Sequence, residues 1–326
     1  MHQNSKVFIA GHRGLVGSAL TRLFIQKGFS QLILRTKEDL DLRDGQAVHH
    51  FFKKEKPEYV LLAAAKVGGI FANFSEPAPF LYDNLAIQNN VIHSAFLYGV
   101  KRFLFLGSSC IYPVKCPQPI HESDLLTGPL EITNEAYAIA KIAGIKMCEA
   151  YNKQYGTKFV ALMPTNLYGP QDHFDPIRSH VIPAMILKVD RAMEKNEKNI
   201  SFWGTGSPRR EFLYVDDLAQ ACYQVMNLSE TEFQTLFSEN QRPIINVGYG
   251  SDLPVKELVQ MIANLMGYSG EWSWDSSKPD GTERKLLDSS RIQKIGWRPQ
   301  VSLEEGLSKT IAWYQKYLKP TLAHRL

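Results

Sequence analysis

Val7-Phe8-Ile9-Ala10-Gly11-His12-Arg13-Gly14-Leu15-Val16-Gly17 places a glycine-rich turn directly after a short apolar run. The run is typical of a buried strand, and Leu20, Leu23 and Phe24 follow at helical spacing. Glycines in such a turn let the backbone approach an anion, to which the next helix offers free N–H groups and its positive dipole end. The stretch therefore predicts a strand–turn–helix unit that binds a dinucleotide pyrophosphate. A glycine-rich turn without a ligand is the alternative, and the strand-to-helix placement disfavours it.

Short apolar runs alternate with helical periodicity through the first half of the chain. Strands are predicted at 7–10, 32–34, 59–64, 102–106 and 159–163, and helices at 18–27, 47–54, 83–98 and 133–155. Continuous apolar strands separated by helices indicate a parallel sheet covered on both faces. We therefore expect an α/β protein with a Rossmann-type, doubly wound parallel sheet over residues 1–170, with returns near 212–228 and 243–248.

The second half of the chain is less regular. Strand-like segments occur at 200–203 and 244–247, and helix-like segments at 188–198, 215–226, 258–266 and 303–317. Such excursions commonly form a smaller lobe over the carboxyl ends of the strands, where open α/β sheets bind ligands. We expect a smaller α/β substrate lobe over 171–318 and a tail at 319–326.

Composition limits the class of protein. The 326 residues are 44% apolar and 21% charged, and the net charge of +4 comes from interspersed acids and bases. This balance favours small anionic ligands over a nucleic-acid partner. Four cysteines, Cys110, Cys116, Cys148 and Cys222, match no zinc module or disulfide framework, so we expect no metal and reduced thiols in a cytoplasmic setting. No signal-peptide pattern is present, and the apolar run at 59–65 is far short of the ~20 residues that cross a bilayer, so no membrane partner is expected.

The second predicted strand ends in cations instead of an acid. Enzymes that prefer NAD commonly place an acid there to hold the ribose 2′-hydroxyl, whereas this chain has Arg35-Thr36-Lys37, with Arg13 in the glycine turn. These cations would pair with a 2′-phosphate, and the pattern favours NADP. A solvated Lys37 beside Glu38 and Asp39 is the alternative.

Tyr137 and Lys141 are four residues apart on a predicted helix, so they share one face about 6 Å apart along the axis. We expect the lysine charge to lower the pKa of the phenol from its reference of about 10, making it an acid or base for a carbonyl group. Ser108, after the fourth strand, can hydrogen-bond the same carbonyl oxygen, and Ser109 is the less favoured choice. Chance spacing and turn-capping serines are the structural alternatives.

These motifs together resemble the extended short-chain dehydrogenases/reductases, over nearly the whole chain. The similar segments are 8–17, 63–69, 107–113, 137–146, 163–170, 179–183, 210–212 and 278–281. Within that family the chain is most similar to the members that act on GDP-linked 4-keto-6-deoxy sugars. The resemblance implies NADPH-dependent 3,5-epimerisation and 4-reduction of GDP-4-keto-6-deoxy-D-mannose to GDP-L-fucose.

The resemblance also implies roles for individual residues. The implied catalytic set is Ser108, Cys110, Tyr137, Lys141 and His180. Cys110 and His180 would exchange protons at C3 and C5, with Cys110 favoured as base and His180 as acid; without the resemblance, both would be interpreted as structural. The implied cofactor contacts are Gly11, His12, Arg13, Gly14, Leu15, Val16, Gly17, Lys37, Leu106, Gly107, Ser109, Lys141, Pro164, Asn166, Leu167 and His180. The implied substrate contacts are Lys188, Trp203, Arg210 and Asp280.

Two other functions are compatible with the sequence. One is a different nucleotide-sugar epimerase or dehydratase of the same fold, although such dehydratases typically have an Asp-Glu pair where this chain has Ser109-Cys110-Ile111. The other is a non-catalytic NADP-binding regulator, which the presence of Tyr137 and Lys141 disfavours. The resemblance further suggests a homodimer packed through the helices near 83–98 and 133–155.

Overall fold

A computed structural model describes residues 1–176, 178–237, 242–278 and 280–323 of the chain. The strands are Val7–Ala10 (β1), Leu32–Ile33 (β2), Tyr59–Leu62 (β3), Arg102–Leu106 (β4), Phe159–Pro164 (β5), Asn166–Tyr168 (β6), Asn199–Trp203 (β7), Arg209–Tyr214 (β8), Ile244–Val247 (β9), Asp252–Pro254 (β10), Glu271–Asp275 (β11) and Arg284–Lys285 (β12). The α-helices are Leu15–Gln26 (α1), Gly45–Glu55 (α2), Ile70–Ser75 (α3), Pro77–Leu97 (α4), Glu135–Tyr155 (α5), Val181–Glu194 (α6), Val215–Met226 (α7), Glu230–Leu236 (α8), Val255–Met266 (α9), Ser290–Lys294 (α10), Leu303–Trp313 (α11) and Lys319–Ala323 (α12).

Six strands form one sheet in the order β2-β1-β3-β4-β5-β9, and every pair is parallel. The expected doubly wound parallel sheet is therefore confirmed. The chain runs outward in opposite directions from β1 and β3, so a crevice opens at their carboxyl ends. The glycine turn after β1 lies at this crevice.

Alternate strand residues face opposite sides of the sheet, and each side is covered by helices. Val7 and Ile9 of β1 belong to a buried cluster with α1 and α7, whereas Phe8 and Ala10 belong to a cluster with α2, α4 and α5. Burial on both faces explains why these strands are continuously apolar. Strand β9 closes the sheet against β5, and α7 packs beside α1.

The second lobe has its own core, formed by α6, α9 and α11 against β6 and β8. Strand β8 pairs with β6, β10 and β12, and β7 pairs with β11. No helix in the described part of the chain is both long enough and apolar enough to cross a bilayer.

Several boundaries differ from the sequence prediction. Helix α4 begins at Pro77, six residues before the predicted start, because proline suits the first turn of a helix. The helix predicted at 188–198 is instead α6, and the polar strand β8 was missed. Part of the predicted tail is helix α12, where Lys319 Nζ donates to Asp190 Oδ1 of α6 at 2.6 Å. Residues 324–326 of that tail lie outside the described residues.

Candidate active site

At two positions in the turn after β1 only glycine fits, because neighbouring backbone atoms lie too close for a Cβ. Gly11 has φ +86°, and a Cβ there would lie 2.7 Å from the Ala64 nitrogen beyond β3. A Cβ at Gly17 would lie 2.0 Å from the Gly11 oxygen, whereas one at Gly14 would make an ordinary 3.5 Å contact with it. Gly14 immediately precedes α1, and no side chain caps this end of the helix. The first N–H groups of α1 therefore face the mouth of the crevice without a side-chain partner. Leu15 and Val16 provide two of them, and this cradle fits a pyrophosphate.

Cations flank the cradle on the side of β2. Arg13 is exposed. Local hydrogen bonds are the main cause of the lowered pKa of Glu38 and of Asp39, and the charge of Arg13 lowers both further. Arg13 therefore lies near the loop after β2. Lys37 is exposed in the same loop. Arg35, the third cation that the sequence offers to a 2′-phosphate, is instead paired with Glu55 of α2, with 2.9 Å between Nη2 and Oε1.

His12 lies inside the cradle. Burial and then the neighbouring Arg13 lower the pKa of its imidazole, which favours the neutral ring. Its Nδ1 is buried and has no hydrogen-bond partner among the described residues. A buried polar atom of this kind is typical of a site completed by a ligand. The two exposed cations beside it, Arg13 and Lys37, fit a dinucleotide with a 2′-phosphate better than one without.

Tyr137 and Lys141 lie at the start of α5, beside the end of β4. Lys141 Nζ is 5.6 Å from the centroid of the Tyr137 ring, and it donates a hydrogen bond to the Leu106 oxygen at 2.7 Å. Burial lowers the pKa of Lys141 to about 7. Burial, and then the neighbouring Cys110, raise the pKa of Tyr137, while a hydrogen bond with Ser108 opposes that rise.

The expected lowering of the pKa of Tyr137 by Lys141 is therefore wrong for this structure. The phenol is desolvated more strongly than it is stabilised as an anion, and the buried lysine is itself only partly charged near pH 7. Tyr137 is consequently held as a neutral phenol at physiological pH. That is the protonation state in which it can donate a proton to a carbonyl oxygen.

Cys110 belongs to the same cluster. It lies in a 3₁₀ turn, Ser109–Ile111. The backbone N–H of Cys110 donates to Ser108 Oγ at 3.2 Å. Its sulfur accepts a hydrogen bond from Asn134 Nδ2 at 3.5 Å. Cys110 also lies close enough to Tyr137 and to Arg210 to raise the pKa of each, so residues of both lobes meet near this sulfur.

His180 immediately precedes α6, and the residue is exposed. Partial desolvation, and then the neighbouring His173, lower the pKa of its imidazole. No hydrogen bond joins His180 to Cys110 within the described residues. The loop that contains His180 is held by the α3 region: Gly69 N donates to the Arg178 oxygen at 2.8 Å, and Arg178 Nη2 is 2.6 Å from Glu76 Oε1.

The residues predicted to contact substrate line one side of the second lobe. Lys188 of α6 donates to the Ser201 oxygen, and its Nζ is 5.1 Å from the Phe202 ring centroid. Trp203, at the end of β7, is 69% exposed. Arg210 on β8 is half-buried, and burial lowers its pKa while Asp280 opposes that change.

Asp280 organises this region through Thr205. Its Oδ1 accepts from Thr205 N at 2.9 Å, and its Oδ2 accepts from Thr205 Oγ1 at 2.7 Å. A cavity of about 270 Å³ lies beside it, bounded by Gly281 and Ser207 among other residues. Both carboxylate oxygens are thus used to position the turn that follows Trp203.

Glu211 supports the site, and the sequence does not reveal this role because Glu211 lies in the short charged segment 209–211. Its carboxylate is fully buried and accepts from Gly250 N at 2.7 Å and Leu287 N at 3.1 Å. Its carbonyl oxygen accepts from Asn166 Nδ2 at 2.8 Å and Thr165 Oγ1 at 3.1 Å. Glu211 therefore fixes β8 against the segment Pro164 to Leu167, which contains three of the residues assigned to the cofactor.

Comparison with known proteins gives consistent matches. The profile of the NAD dependent epimerase/dehydratase family matches residues 7–248. The GDP-L-fucose synthase of Escherichia coli (strain K12) is 53% identical over 95% of this chain and 96% of its own length. The putative GDP-L-fucose synthase 2 of Arabidopsis thaliana is 53% identical over 96% of this chain and 93% of its own. Among solved structures, the GDP-mannoheptose C4 reductase MlghC from Campylobacter jejuni with NADP bound has a TM-score of 0.87 at 41% identity, covering 97% of this chain and 100% of that one.

Proposed function

The chain belongs to the NAD dependent epimerase/dehydratase family, and on that basis we propose that it converts GDP-4-keto-6-deoxy-D-mannose to GDP-L-fucose by 3,5-epimerisation and NADPH-dependent 4-reduction. The observation that supports this most is the cluster of Ser108, Cys110, Tyr137 and Lys141 beside the glycine cradle. A thiol beside an acid–base phenol suits proton exchange next to a ketone as well as reduction of that ketone.

Epimerisation follows from the acidity of the two carbons that flank the C4 ketone. Cys110 accepts a proton from C3 or C5 on one face, and the electron pair moves into the enolate, whose oxygen accepts hydrogen bonds from Tyr137 and Ser108. His180 returns a proton to the opposite face and inverts the centre. Which residue is base and which is acid is part of the proposal, with Cys110 as base.

Reduction uses the same oxygen-binding groups. NADPH supplies the hydride when bound. Tyr137, protonated because burial raises its pKa, donates its proton to the C4 oxygen as the ketone becomes an alcohol. The proton transfer leaves Tyr137 as a tyrosinate. The ammonium form of Lys141, held 5.6 Å from the centroid of that ring by its bond to the Leu106 oxygen, stabilises the tyrosinate until solvent returns a proton to it.

The second lobe would hold the nucleotide diphosphate. Lys188 and Arg210 offset the diphosphate charge, and the exposed face of Trp203 stacks on the base or the sugar. Asp280 contributes by positioning the turn at Thr205. Binding at this lobe places the sugar toward Cys110, which lies close enough to influence Arg210.

A homodimer through α4 and α5 is part of the proposal. These helices pack together and expose Leu97 and Tyr155, and Phe96 stacks on Tyr155 with ring centroids 4.3 Å apart. Sedimentation velocity should give a dimer that Leu97→Glu converts to monomer. Ile25→Glu, at another exposed site, on α1, should leave the dimer intact. Equal sedimentation coefficients for the two variants would contradict this interface.

A cytosolic location belongs to the same proposal. The four cysteines are free thiols, and reducing compartments keep them so.

The experiment that tests the function is a stoichiometric assay. Purified protein is incubated with GDP-4-keto-6-deoxy-D-mannose and limiting NADPH, and absorbance at 340 nm is followed against sugar consumed. One NADPH should disappear for each sugar converted. Sugar conversion without loss of NADPH would indicate an epimerase or dehydratase that recycles its cofactor, and would contradict the proposal.

A further inference from the structure

Asn134 occupies the position where α5 should be capped, yet its side chain does not cap the helix. It immediately precedes Glu135, the first residue of α5, and its side chain makes no hydrogen bond to the free N–H groups of the first turn. Asparagine is among the preferred residues at this position because its oxygen can accept such a bond. Elsewhere in the chain the expected cap is made: Asp44 accepts from Gln46 N and Ala47 N at the start of α2.

The amide of Asn134 is turned to Cys110 instead. Asn134 Nδ2 donates to Cys110 Sγ at 3.5 Å, and Asn134 Oδ1 is buried with no hydrogen-bond partner among the described residues. In this orientation the side chain neither caps the first turn of α5 nor gives its own oxygen a hydrogen-bond partner among the described residues. Among the described residues, the sulfur contact is the hydrogen bond that accounts for this orientation.

We propose that Asn134 is a positioning residue for proton exchange, whose amide N–H holds the Cys110 sulfur and favours the thiolate form that accepts the proton. An N–H donor stabilises a thiolate more than a thiol, because the negative charge strengthens the hydrogen bond. In the step itself, the C–H proton becomes the S–H proton and the electron pair of the C–H bond moves to the enolate. This inference rests on the proposed function, because it takes Cys110 as the base.

The other groups that interact with Cys110 lie on residues to which the Asn134 side chain makes no hydrogen bond within the described part of the chain. The titratable and charged groups that face the sulfur are Tyr137 of α5 and Arg210 of β8, and Arg210 in turn interacts with Glu131 and Asp280. A pH effect produced by replacing Asn134 alone can therefore be assigned to the lost N–H donor.

The test uses Asn134→Ser and Asn134→Asp in the full chain. Serine and aspartate are both short polar residues common at helix starts, so the melting temperature of each variant should stay within about 2 °C of the wild-type value. Serine cannot reach the sulfur, and aspartate presents a negative charge to it. With the oxidised cofactor present, deuterium exchange at C3 and C5 of the sugar in D₂O at neutral pH should fall roughly tenfold to a hundredfold in both variants.

The pH profile separates this role from a structural one. Exchange by Asn134→Ser should approach the wild-type rate as pH rises, because alkaline solvent supplies the thiolate that the amide no longer favours. As a matched control, Asp44→Ala should lower the melting temperature while leaving exchange unchanged. Wild-type exchange by Asn134→Ser at every pH would overturn the proposal, as would an equal loss at every pH accompanied by a lower melting temperature. A wild-type protein that shows no exchange would contradict the proposed function itself, and this inference with it.

Discussion

Lys141 Nζ donates a 2.7 Å hydrogen bond to the carbonyl oxygen of Leu106, the last residue of β4. This bond fixes α5 to the end of the sheet, one helical turn after Tyr137. It also encloses the ammonium group, which lies 4.7 Å from the Phe105 ring centroid. The result is a lysine whose pKa is about 7 because it is buried.

Lys141 should make stability depend on pH. Its unfolded-state pKa is about 10.4, so between pH ~7 and ~10 the unfolded chain binds a proton that the folded chain lacks, and the free energy of unfolding rises with pH. The slope from this one group is at most about 1.4 kcal/mol per pH unit. Urea unfolding at pH 7, 8 and 9 should show the wild type gaining stability relative to Lys141→Met. Lys146→Met, on the partly exposed side of the same helix, should track the wild type. Parallel curves for wild type and Lys141→Met would contradict this account of the lysine.

Tyr137→Phe should remove reduction while preserving the fold. The variant keeps the ring that packs edge-on against Phe80 at 6.4 Å and loses only the hydroxyl. Loss of a general acid typically costs 10²- to 10⁴-fold, so NADPH oxidation should fall by about that factor while NADPH affinity stays near normal. Fluorescence titration measures the affinity. Tyr98→Phe serves as the control, because Tyr98 lies at the end of α4 with its hydroxyl against His49. Unchanged turnover in Tyr137→Phe would remove the assignment.

Cys110→Ser should spare the fold and slow epimerisation. The serine retains the backbone N–H that donates to Ser108 Oγ, but its hydroxyl is a far weaker acid than a thiol and cannot supply the anionic base. Deuterium exchange at C3 and C5, followed by NMR, should drop by at least about 10²-fold. Cys116→Ser, in the loop that follows, should exchange normally. Normal exchange by Cys110→Ser would exclude Cys110 as the base.

Gly17→Ala and Gly14→Ala test the cradle with the same added methyl group. A Cβ at Gly17 meets the Gly11 oxygen at 2.0 Å, so the turn must move and NADPH affinity should fall at least about tenfold; at Gly14 the contact is an ordinary 3.5 Å, and affinity should change little. Isothermal titration of NADPH into each variant gives the comparison. Equal affinities would show that the close approach of Gly17 to Gly11 does not shape the cofactor site.

The sheet and the cradle could be predicted because their signals are local. An apolar run followed by glycines at fixed spacing identifies β1 and the turn to α1, and the four-residue spacing of Tyr137 and Lys141 fixes their shared face. The missed strand β8 begins with Arg209, Arg210 and Glu211, whose polarity hides a strand that pairs on two sides.

The electrostatics could not be predicted because they depend on contacts distant in sequence. Arg35 is paired with Glu55, twenty residues away, and is not left free for a phosphate. The raised pKa of Tyr137 results mainly from burial, which the spacing to Lys141 does not reveal. The diverted amide of Asn134 likewise depends on Cys110, which lies twenty-four residues earlier in another element.

The most direct test of the account is the identity and labelling of the sugar formed in D₂O. GDP-4-keto-6-deoxy-D-mannose and NADPH are incubated with the protein, and the product is examined by NMR. One polar cluster acting at C3, C4 and C5 predicts GDP-L-fucose with deuterium at C3 and C5 and protium from NADPH at C4. A reduced product that keeps the D-manno configuration, with protium at C3 and C5, would contradict it.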